Sequence, residues 1–328
     1  MMRALERHWY RDTLLSRALL PLSAVYRAAV ALRRFLYRAG IKRQVRVGVP
    51  VIVVGNLTVG GTGKTPLVIW LACLLAQAGY RPGIVTRGYG GRSRTWPRAV
   101  HADSDPDDVG DEPVLLARHA GCAVTADPDR VRGARELIAR AGCNIVISDD
   151  GLQHLRLARD LEIVVIDGAR RFGNNRCLPA GPLREPAARA LCADARVVQG
   201  NAGAGEWSMQ LAARGFFRVG AGGGPVTAEA FMGKTVHAVA GIGNPPRFFD
   251  QLRALGLKVI AHAFADHHRF RPADVAFGDE HPIIMTEKDA VKCQRLDMAP
   301  AWYLAVAAEV GAGFDVWVTQ RLRDIAHG

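Results

Sequence analysis

Short apolar runs alternate with longer stretches of helical periodicity along most of this chain. The first run, Val51–Val54, is apolar at every position, which is typical of a strand buried on both faces. The stretch Leu67–Leu75 that follows is apolar over the length of a helix. Strands that alternate with helices in this way predict an α/β fold with a parallel sheet. Further strands are predicted within 81–91, 122–125, 144–148, 160–167 and 196–199, with helices at 114–120, 129–142 and 187–191.

A second α/β unit follows a stretch with little apolar periodicity. Residues 201–235 are rich in glycine and alanine, most densely at Gly220–Pro225, which indicates a domain boundary. We therefore predict a larger α/β domain over 44–225 and a smaller α/β domain over 226–328. Strands of the smaller domain are predicted at 236–240, 259–264, 283–285 and 302–306, with a helix at 247–255.

Composition is that of a globular protein, with 49% hydrophobic and 23% charged residues. The six cysteines form no C-x-x-C pair, so the sequence predicts neither a zinc site nor a disulfide framework. The net charge of +12 is unusual. It indicates an anionic partner, which is nucleic acid, an acidic membrane surface or a phosphorylated substrate.

Most of this charge lies in residues 1–43, where ten basic side chains face only Glu6 and Asp12, so the segment holds +8 of the +12. Apolar residues recur between the basic ones at helical spacing, broken near Pro21. No apolar run is long enough to cross a bilayer, and charges interrupt any secretory signal. The basic residues are Arg3, Arg7, Arg11, Arg17, Arg27, Arg33, Arg34, Arg38, Lys42 and Arg43.

Two compatible interpretations of this basic amphipathic helical segment remain open. One is a helix whose apolar face packs on the domain. The other is a helix in a membrane interface, with aromatic rings at headgroup depth and arginines toward anionic lipid. Binding of nucleic acid is not predicted, because no recognised nucleic-acid motif accompanies the charge.

A glycine-rich turn joins the first strand to the first helix of the α/β pattern and ends in Gly63-Lys64-Thr65. This is the context of a phosphate-binding loop, in which backbone N–H groups and a helix N-terminus converge on phosphate. Lys64 would reach the β- and γ-phosphates of ATP, and Thr65 would hold Mg²⁺. The alternative is an ordinary glycine-rich turn, since Thr58 stands where the usual pattern has glycine. The predicted ATP-binding residues are Thr58, Val59, Gly60, Gly61, Thr62, Gly63, Lys64 and Thr65.

Two carboxylates, Asp149 and Asp150, follow the apolar strand predicted at 144–148. A phosphate-loop enzyme places the aspartate that completes its Mg²⁺ shell at such a strand end. The spacings expected of a GTPase are absent, and we find no motifs of a motor or transporter ATPase. Phosphoryl transfer to a bound acceptor remains, which requires a general base.

Eight motifs occur in order across nearly the whole chain: VGNLTVGGTGKTP at 54–66, RGYG at 87–90, VGDEP at 109–113, DDGLQH at 149–154, LPAGPLREP at 178–186, GIGNP at 241–245, DHH at 266–268 and MTEKD at 285–289. The set resembles the tetraacyldisaccharide 4'-kinase family of lipid A biosynthesis, in which threonine at position 58 is also usual. The resemblance implies a P-loop NTPase-type α/β/α sandwich. It also implies ATP-dependent phosphorylation of the 4'-hydroxyl of a tetraacyldisaccharide 1-phosphate to give lipid IVA, at the cytoplasmic face of the inner membrane.

The resemblance also implies roles for individual residues. Asp111 would be the general base and His267 its partner across the domain cleft, with Lys64 on the phosphates. Asp149 and Asp150 would manage Mg²⁺ together with Thr65. The acceptor site would be lined by Arg87, Tyr89, Arg130, His154 and Asn174. Asn175 is an equal alternative to Asn174 in this role.

Without the resemblance, simpler interpretations of these residues remain open. Asp111 at a helix start would be a cap, and His267 with His268 would be surface residues or metal ligands. The competing class of function is a nucleotide-switched, membrane-binding module without acceptor chemistry. The sequence leaves the oligomeric state and the acyl-chain preference open.

Overall fold

The computed structural model describes residues 8–220, 224–294, 296 and 301–327. The predicted basic positions Arg3 and Arg7 lie outside these ranges. The strands are β1 (Val51–Gly55), β2 (Pro82–Thr86), β3 (Arg98–Val100), β4 (Ala123–Ala126), β5 (Ile145–Asp149), β6 (Leu161–Asp167), β7 (Ala195–Gln199), β8 (Trp207–Arg218), β9 (Thr235–Ala240), β10 (Lys258–Ala263), β11 (Ile283–Thr286) and β12 (Ala301–Val310).

The α-helices are α1 (Leu14–Ala18), α2 (Leu20–Arg38), α3 (Lys64–Gln77), α4 (Pro106–Val109), α5 (Asp111–His119), α6 (Arg130–Ala141), α7 (Pro245–Ala254), α8 (Glu287–Cys293) and α9 (Phe314–His327). Short 3₁₀ helices cover Ala187–Cys192, Ala228–Ala230 and Pro272–Asp274. The helix predicted at 187–191 is therefore present in the tighter 3₁₀ form.

All the strands belong to one sheet, in the order β10-β9-β11-β12-β8-β7-β6-β1-β5-β2-β4-β3. The strand pairs of this sheet are parallel except β3–β4 and β8–β12. The prediction of an α/β fold with a largely parallel sheet is confirmed.

The register of the central strands brings two predicted motifs together. Val54 of β1 lies beside Asp149 of β5. The loops that leave these neighbouring parallel strands therefore start from the same edge of the sheet. That edge is where open α/β sheets bind ligands.

Alternate residues of β1 pack into two different hydrophobic layers. Ile52 and Val54 join a core that includes Leu71 of α3. Val51 and Val53 join a second core on the opposite face, which includes Leu137 of α6. Because side chains of a strand alternate between the faces of its sheet, helices cover both faces in a sandwich.

The predicted boundary at 225 falls between β8 and β9, and the strands on both sides of it belong to the same sheet. The antiparallel β8–β12 pair joins the two halves. The stretch 201–235, which the sequence predicts to mark the boundary, contains β8, which is 12 residues long. Its glycine and alanine residues carry little apolar periodicity, and pairing with β12 decides its conformation. The division into two domains stays a prediction.

The chain continues past the last predicted strand into α9. Phe314, Val318 and Leu322 of this helix are buried in the same core as β1 and α3. The spacing of these residues is helical, but no helix is among the elements predicted from the sequence.

The N-terminal segment forms two helices that meet at Leu19, with Pro21 in the first turn of α2. Ser23 Oγ donates to Cys177 O at 2.8 Å, and Tyr26 Oη donates to Arg184 O at 3.0 Å. The segment therefore contacts the α/β body, but through Ser23 and Tyr26 rather than through the large apolar residues that the first interpretation expects to be packed. Its other side leaves large apolar residues exposed: Leu14, Leu22, Val25, Leu32 and Phe35.

Candidate active site

The loop between β1 and α3 has the backbone of a phosphate-binding loop. Gly60 and Gly63 have φ of 105° and 87°, a region that favours glycine. Asn56 Nδ2 donates to Thr58 O at 2.7 Å, and Lys64 Nζ donates to Asn56 Oδ1 at 3.1 Å. Lys64 is thus held at the start of α3, where the helix dipole favours an anion.

A turn from the other half of the sheet covers this loop. A Cβ atom on Gly243 would lie 2.2 Å from Gly61 N, so only glycine permits this approach. Arg170 Nη1 donates to Gly243 O at 2.6 Å. The next residue, Asn244, donates its Nδ2 hydrogen to Asp167 Oδ2 at 3.2 Å.

A polar cluster continues from this turn beneath the phosphate loop. Arg247 Nη1 donates to Gln199 Oε1 at 2.6 Å and to Asp167 Oδ2 at 3.2 Å. Gln199 Oε1 in turn lies against Gly63. Sequence reasoning did not predict a role for these three side chains. The GIGNP motif, which ends two residues before Arg247, is the sequence signal that could have located Arg247.

Asp149 and Asp150 lie in contrasting surroundings at the end of β5. Thr86 Oγ1 donates to Asp149 Oδ2 at 3.2 Å, while the buried Asp149 Oδ1 has no hydrogen-bond partner among the described residues. Burial, with repulsion from Glu112 and Asp150, raises the pKa of Asp149 to about 7.

Asp150 instead faces cations. Its carboxylate lies 3.0 Å from Arg184 Nη1 and 3.5 Å from Lys64 Nζ. Burial works against ionisation of Asp150, but Lys64 and Arg184 outweigh it and hold the pKa well below its usual range. Asp150 therefore connects the phosphate-loop lysine to the end of β5.

These residues fit Mg²⁺. Carboxylate and hydroxyl oxygens are the ligands that Mg²⁺ prefers, and it commonly uses one or two carboxylates together with substrate phosphates. The unpaired Oδ1 of Asp149 is a free acceptor beside the phosphate loop. Within the described ranges no cluster of three or more His, Cys, Asp or Glu forms an all-protein metal site.

Asp111 and His267 meet across the two halves of the sheet. Asp111 is the first residue of α5 and is only 4% exposed. His267 Nδ1 lies 3.1 Å from Asp111 Oδ2 and 3.2 Å from Oδ1. His267 has φ of 57°, a conformation that is uncommon outside glycine and is found at functional sites.

Two lysines of α8 complete this cluster. Lys288 Nζ lies 3.3 Å from His267 Nε2, and Lys292 Nζ lies 3.9 Å from Asp111 Oδ2. Burial disfavours ionisation of Asp111, but Lys288, His267 and Lys292 outweigh it and hold the pKa of Asp111 below its usual value. Burial likewise disfavours the imidazolium, but the hydrogen bond with Asp111 raises the pKa of His267.

Tyr89 lies against His267 of this pair, and Arg87 precedes Tyr89 by two residues. The Tyr89 ring meets the His267 ring edge-on at 4.8 Å between centroids and is 56% exposed. Arg87 is exposed as well. Both side chains are exposed, and that of Tyr89 is accessible to a ligand that approaches His267.

Arg130 and His154 lie deeper. The buried Arg130 donates from Nη2 to Asp149 O at 3.1 Å and from Nη1 to Asp127 O at 2.8 Å. Burial lowers the pKa of Arg130 to about 10. His154 Nε2 accepts from Arg130 N at 3.2 Å, and burial together with Arg130 lowers the pKa of His154 to about 4. Arg130 therefore holds the end of β5 by its hydrogen bond to Asp149 O, and His154 holds Arg130.

Asn174 uses its amide within its own loop and toward the N-terminal segment, where Nδ2 donates to His8 O at 3.3 Å. Its Nδ2 donates to Ala180 O at 2.9 Å, and its Oδ1 accepts from Arg176 N at 3.1 Å. Its neighbour Asn175 has φ of 58°. A contact of either asparagine with the acceptor stays a prediction.

A cavity of about 670 Å³ lies beside α2, and a second one of about 620 Å³ opens at the phosphate loop. The second is lined by residues of both halves of the sheet. It runs from Gly61–Thr65 to Trp70 on one side and to Phe217 and Tyr303 on the other. Glu112 and Lys288 line it too, so the surroundings of Asp111 and His267 border the phosphate-loop cavity.

A phosphate-binding loop, a carboxylate-bearing neighbouring strand and an α/β/α sandwich together define a P-loop phosphotransferase. The family model of tetraacyldisaccharide-1-P 4'-kinase matches residues 15–323. This chain belongs to that family.

Two relatives share about half of their residues with this chain. It is 56% identical over 292 residues to tetraacyldisaccharide 4'-kinase of Alkalilimnicola ehrlichii, covering 89% of this chain and 88% of the relative. It is 48% identical over 320 residues to tetraacyldisaccharide 4'-kinase of Nitrosococcus oceani, covering 98% and 94%.

A crystal structure of the “apo” form of LpxK from Aquifex aeolicus, in complex with ATP, matches with a TM-score of 0.77 at 29% identity. The match covers 94% of this chain and 100% of that chain. The predicted P-loop kinase fold is confirmed by this likeness.

Proposed function

We propose that this protein transfers the γ-phosphoryl group of ATP to the 4'-hydroxyl of a tetraacyldisaccharide 1-phosphate, giving lipid IVA. The observation that carries the proposal is the contact between Asp111 and His267 beside the phosphate-loop cavity. Phosphoryl transfer to an alcohol requires a base near the phosphate site. A nucleotide switch would not need one.

The proposed reaction is a single displacement. Asp111 accepts the proton of the sugar hydroxyl while the hydroxyl oxygen bonds to the γ-phosphorus. The bond between that phosphorus and the β–γ bridging oxygen breaks, and ADP leaves. His267 holds the Asp111 carboxylate in position, and Lys64 neutralises charge on the β- and γ-phosphates.

Mg²⁺, when bound, supplies further positive charge at the phosphates. Thr65, Asp149 and Asp150 would hold it. Asp149 lies beside Val54, where the phosphate loop begins, and Asp150 lies 3.5 Å from Lys64 Nζ, which supports this assignment.

Arg87 and Tyr89 are proposed to contact the acceptor sugar. The exposure of both side chains and the contact of Tyr89 with His267 support this role. Arg130 and His154 are proposed to hold in place the end of β5, which bears the metal-binding carboxylates. Asn174 is proposed to shape the loop that leads to the acceptor site.

The N-terminal helices are proposed to lie on an anionic membrane, at the cytoplasmic face of the inner membrane. In the part of the chain that the structure describes, no helix is long and apolar enough to span a bilayer. The exposed side chains of α1 and α2 combine apolar residues such as Leu14 and Phe35 with Arg27, Arg33 and Arg38. That combination is typical of a helix lying in the interface. A tetraacylated acceptor would be reached there.

The test is ATP turnover in detergent with and without the lipid acceptor. A kinase consumes ATP only as acceptor is added. Turnover that is independent of the acceptor would favour the nucleotide-switched membrane module instead.

A further inference from the structure

Lys288 is a partly buried lysine in the MTEKD motif, to which the proposed reaction assigns no role. Its Nζ lies 3.0 Å from Glu112 Oε1, 3.2 Å from Asp266 Oδ1 and 3.3 Å from His267 Nε2. Thr286 caps α8 by accepting from Asp289 N, which fixes the helix that carries Lys288. The lysine therefore joins α5 of one half to the 266–267 loop of the other.

The three contacts determine where the hydrogens lie. An ammonium group has three donors and no acceptor, and here it faces two carboxylate oxygens and one ring nitrogen. Donation to His267 Nε2 requires a lone pair on that nitrogen. The other ring nitrogen, Nδ1, faces the Asp111 carboxylate, which accepts only. His267 in this arrangement is neutral, with its hydrogen on Nδ1.

We propose that Lys288 is a positioning residue that holds His267 as the neutral Nδ1–H tautomer while Asp111 accepts the sugar proton. The inference rests on the proposed role of Asp111 as base. An imidazolium 3.1 Å from Asp111 would stabilise the carboxylate more than a neutral ring does. It would thereby weaken Asp111 as a base.

The acidic groups around His267 favour the imidazolium, and Lys288 opposes them. Asp266 Oδ1 lies 3.8 Å from His267 Nε2 and would accept a hydrogen from that nitrogen if Lys288 were absent. Glu112 would lose its partner at the same time. Two further cations are nearby and also disfavour the imidazolium: Lys292, which faces Asp111, and Arg269, which lines the adjoining cavity.

The pKa of Lys288 agrees with a permanent charge. Burial disfavours its ammonium, but Glu112, Asp111 and Asp266 outweigh burial and raise the pKa of Lys288 above its usual value. Lys288 also opposes the rise that the hydrogen bond with Asp111 gives to the pKa of His267.

The first experiment needs no substrate. Nitrogen NMR of the full-length protein labelled at histidine reports which ring nitrogen of His267 carries hydrogen at pH 8.5, with His267→Gln used to assign the signal. We expect the Nδ1–H tautomer in the parent and in Lys288→Arg. The Nε2–H tautomer in the parent would overturn the proposal, whatever the enzyme phosphorylates.

The second experiment compares pH profiles of kcat with ATP and the lipid acceptor. Lys288→Met should move the acid limb of the kcat profile up by at least about one pH unit, because loss of the nearby ammonium charge lets the pKa of His267 rise. The KM for ATP should stay near that of the parent. Lys288→Arg should restore the limb, and Lys258→Met, at an exposed lysine of β10, should leave the profile unchanged.

A merely structural role gives a different result, namely lower kcat with the acid limb in its original place, and it would contradict the proposal. If the parent shows no acceptor-dependent turnover, the proposed function fails. The NMR result then decides the tautomer by itself.

Discussion

Gly243 packs backbone against backbone on Gly61 of the phosphate loop, although 182 positions separate them in the chain. A Cβ atom on Gly243 would lie 2.2 Å from Gly61 N and 2.9 Å from Gly60 C. Arg170 holds the same turn through Gly243 O. The second half of the sheet therefore contributes directly to the shape of the nucleotide site.

Gly243→Ala should weaken ATP use, because the added methyl group would push this turn away from the phosphate loop or distort the loop. We expect kcat/KM for ATP to fall by at least about tenfold, which corresponds to about 1.4 kcal/mol. Steady-state kinetics at varied ATP measures it. Gly224→Ala is the matched control, since a Cβ there meets nothing within 4 Å. Equal kinetics for Gly243→Ala and the parent would contradict the tight approach.

Asp111→Asn should lower kcat by roughly 10²- to 10⁴-fold with little change in ATP affinity, as for loss of a general base. His267→Ala should lose less, because it acts through Asp111. The double variant should fall well short of the product of the single losses, since the two side chains act as a unit. Rates at saturating acceptor measure this. Strictly multiplicative losses would rule out a functional pair.

His267 should stabilise the fold more in acid than in alkali. Its folded-state pKa is raised by the hydrogen bond with Asp111 against burial. Such a group contributes fully below the unfolded-state pKa of about 6.5, and the contribution is lost as pH rises through the folded-state value. His267→Gln should therefore lower Tm more at pH 6 than at pH 9, measured by thermal melts. His101→Gln, at an exposed histidine, is the control. A decrease in Tm at pH 9 that equals or exceeds the decrease at pH 6 would contradict the predicted direction of this pH dependence.

Replacing Arg27, Arg33 and Arg38 by Gln should weaken binding to anionic vesicles while leaving Tm nearly unchanged. These arginines are exposed on α2, and attraction to anionic lipid is about 1 kcal/mol per basic residue near the surface. Flotation with anionic and neutral vesicles, run beside a melt, measures both effects.

Arg34 provides the control for that experiment. It is partly buried and lies 3.1 Å from Glu185. Arg34→Gln should lower Tm and leave flotation largely intact, because it breaks a packed ion pair rather than a membrane contact. If the triple variant floats as well as the parent on anionic vesicles, the exposed arginines do not bind the membrane.

Local motifs could be predicted because the residues that define each motif are close together in the sequence. The phosphate loop at Thr58–Thr65 needs only its own strand and helix, and Asp149 follows from the end of β5. The contact between Asp111 and His267 spans 156 positions. Residue type alone did not pair them, and the family resemblance did.

Other parts depend on tertiary structure that no local pattern contains. Asp167 and Arg247 are ordinary charges in sequence, and they become neighbours because β6 and α7 meet beneath the phosphate loop. The strand β8 is stabilised by pairing with β12 rather than by its own composition. Arg34 looked like one more surface arginine, and only its contact with Glu185 distinguishes it.

Transfer of labelled phosphate is the most direct test of the central claim. The full-length protein is incubated in detergent with γ-phosphate-labelled ATP, Mg²⁺ and a tetraacyldisaccharide 1-phosphate, and the lipid product is analysed by mass and by NMR. We predict one labelled phosphate on the 4'-oxygen for each ADP formed, and none with Lys64→Ala, because Lys64 neutralises charge at the β- and γ-phosphates. Label released only as free phosphate, at a rate that the lipid does not change, would contradict the account.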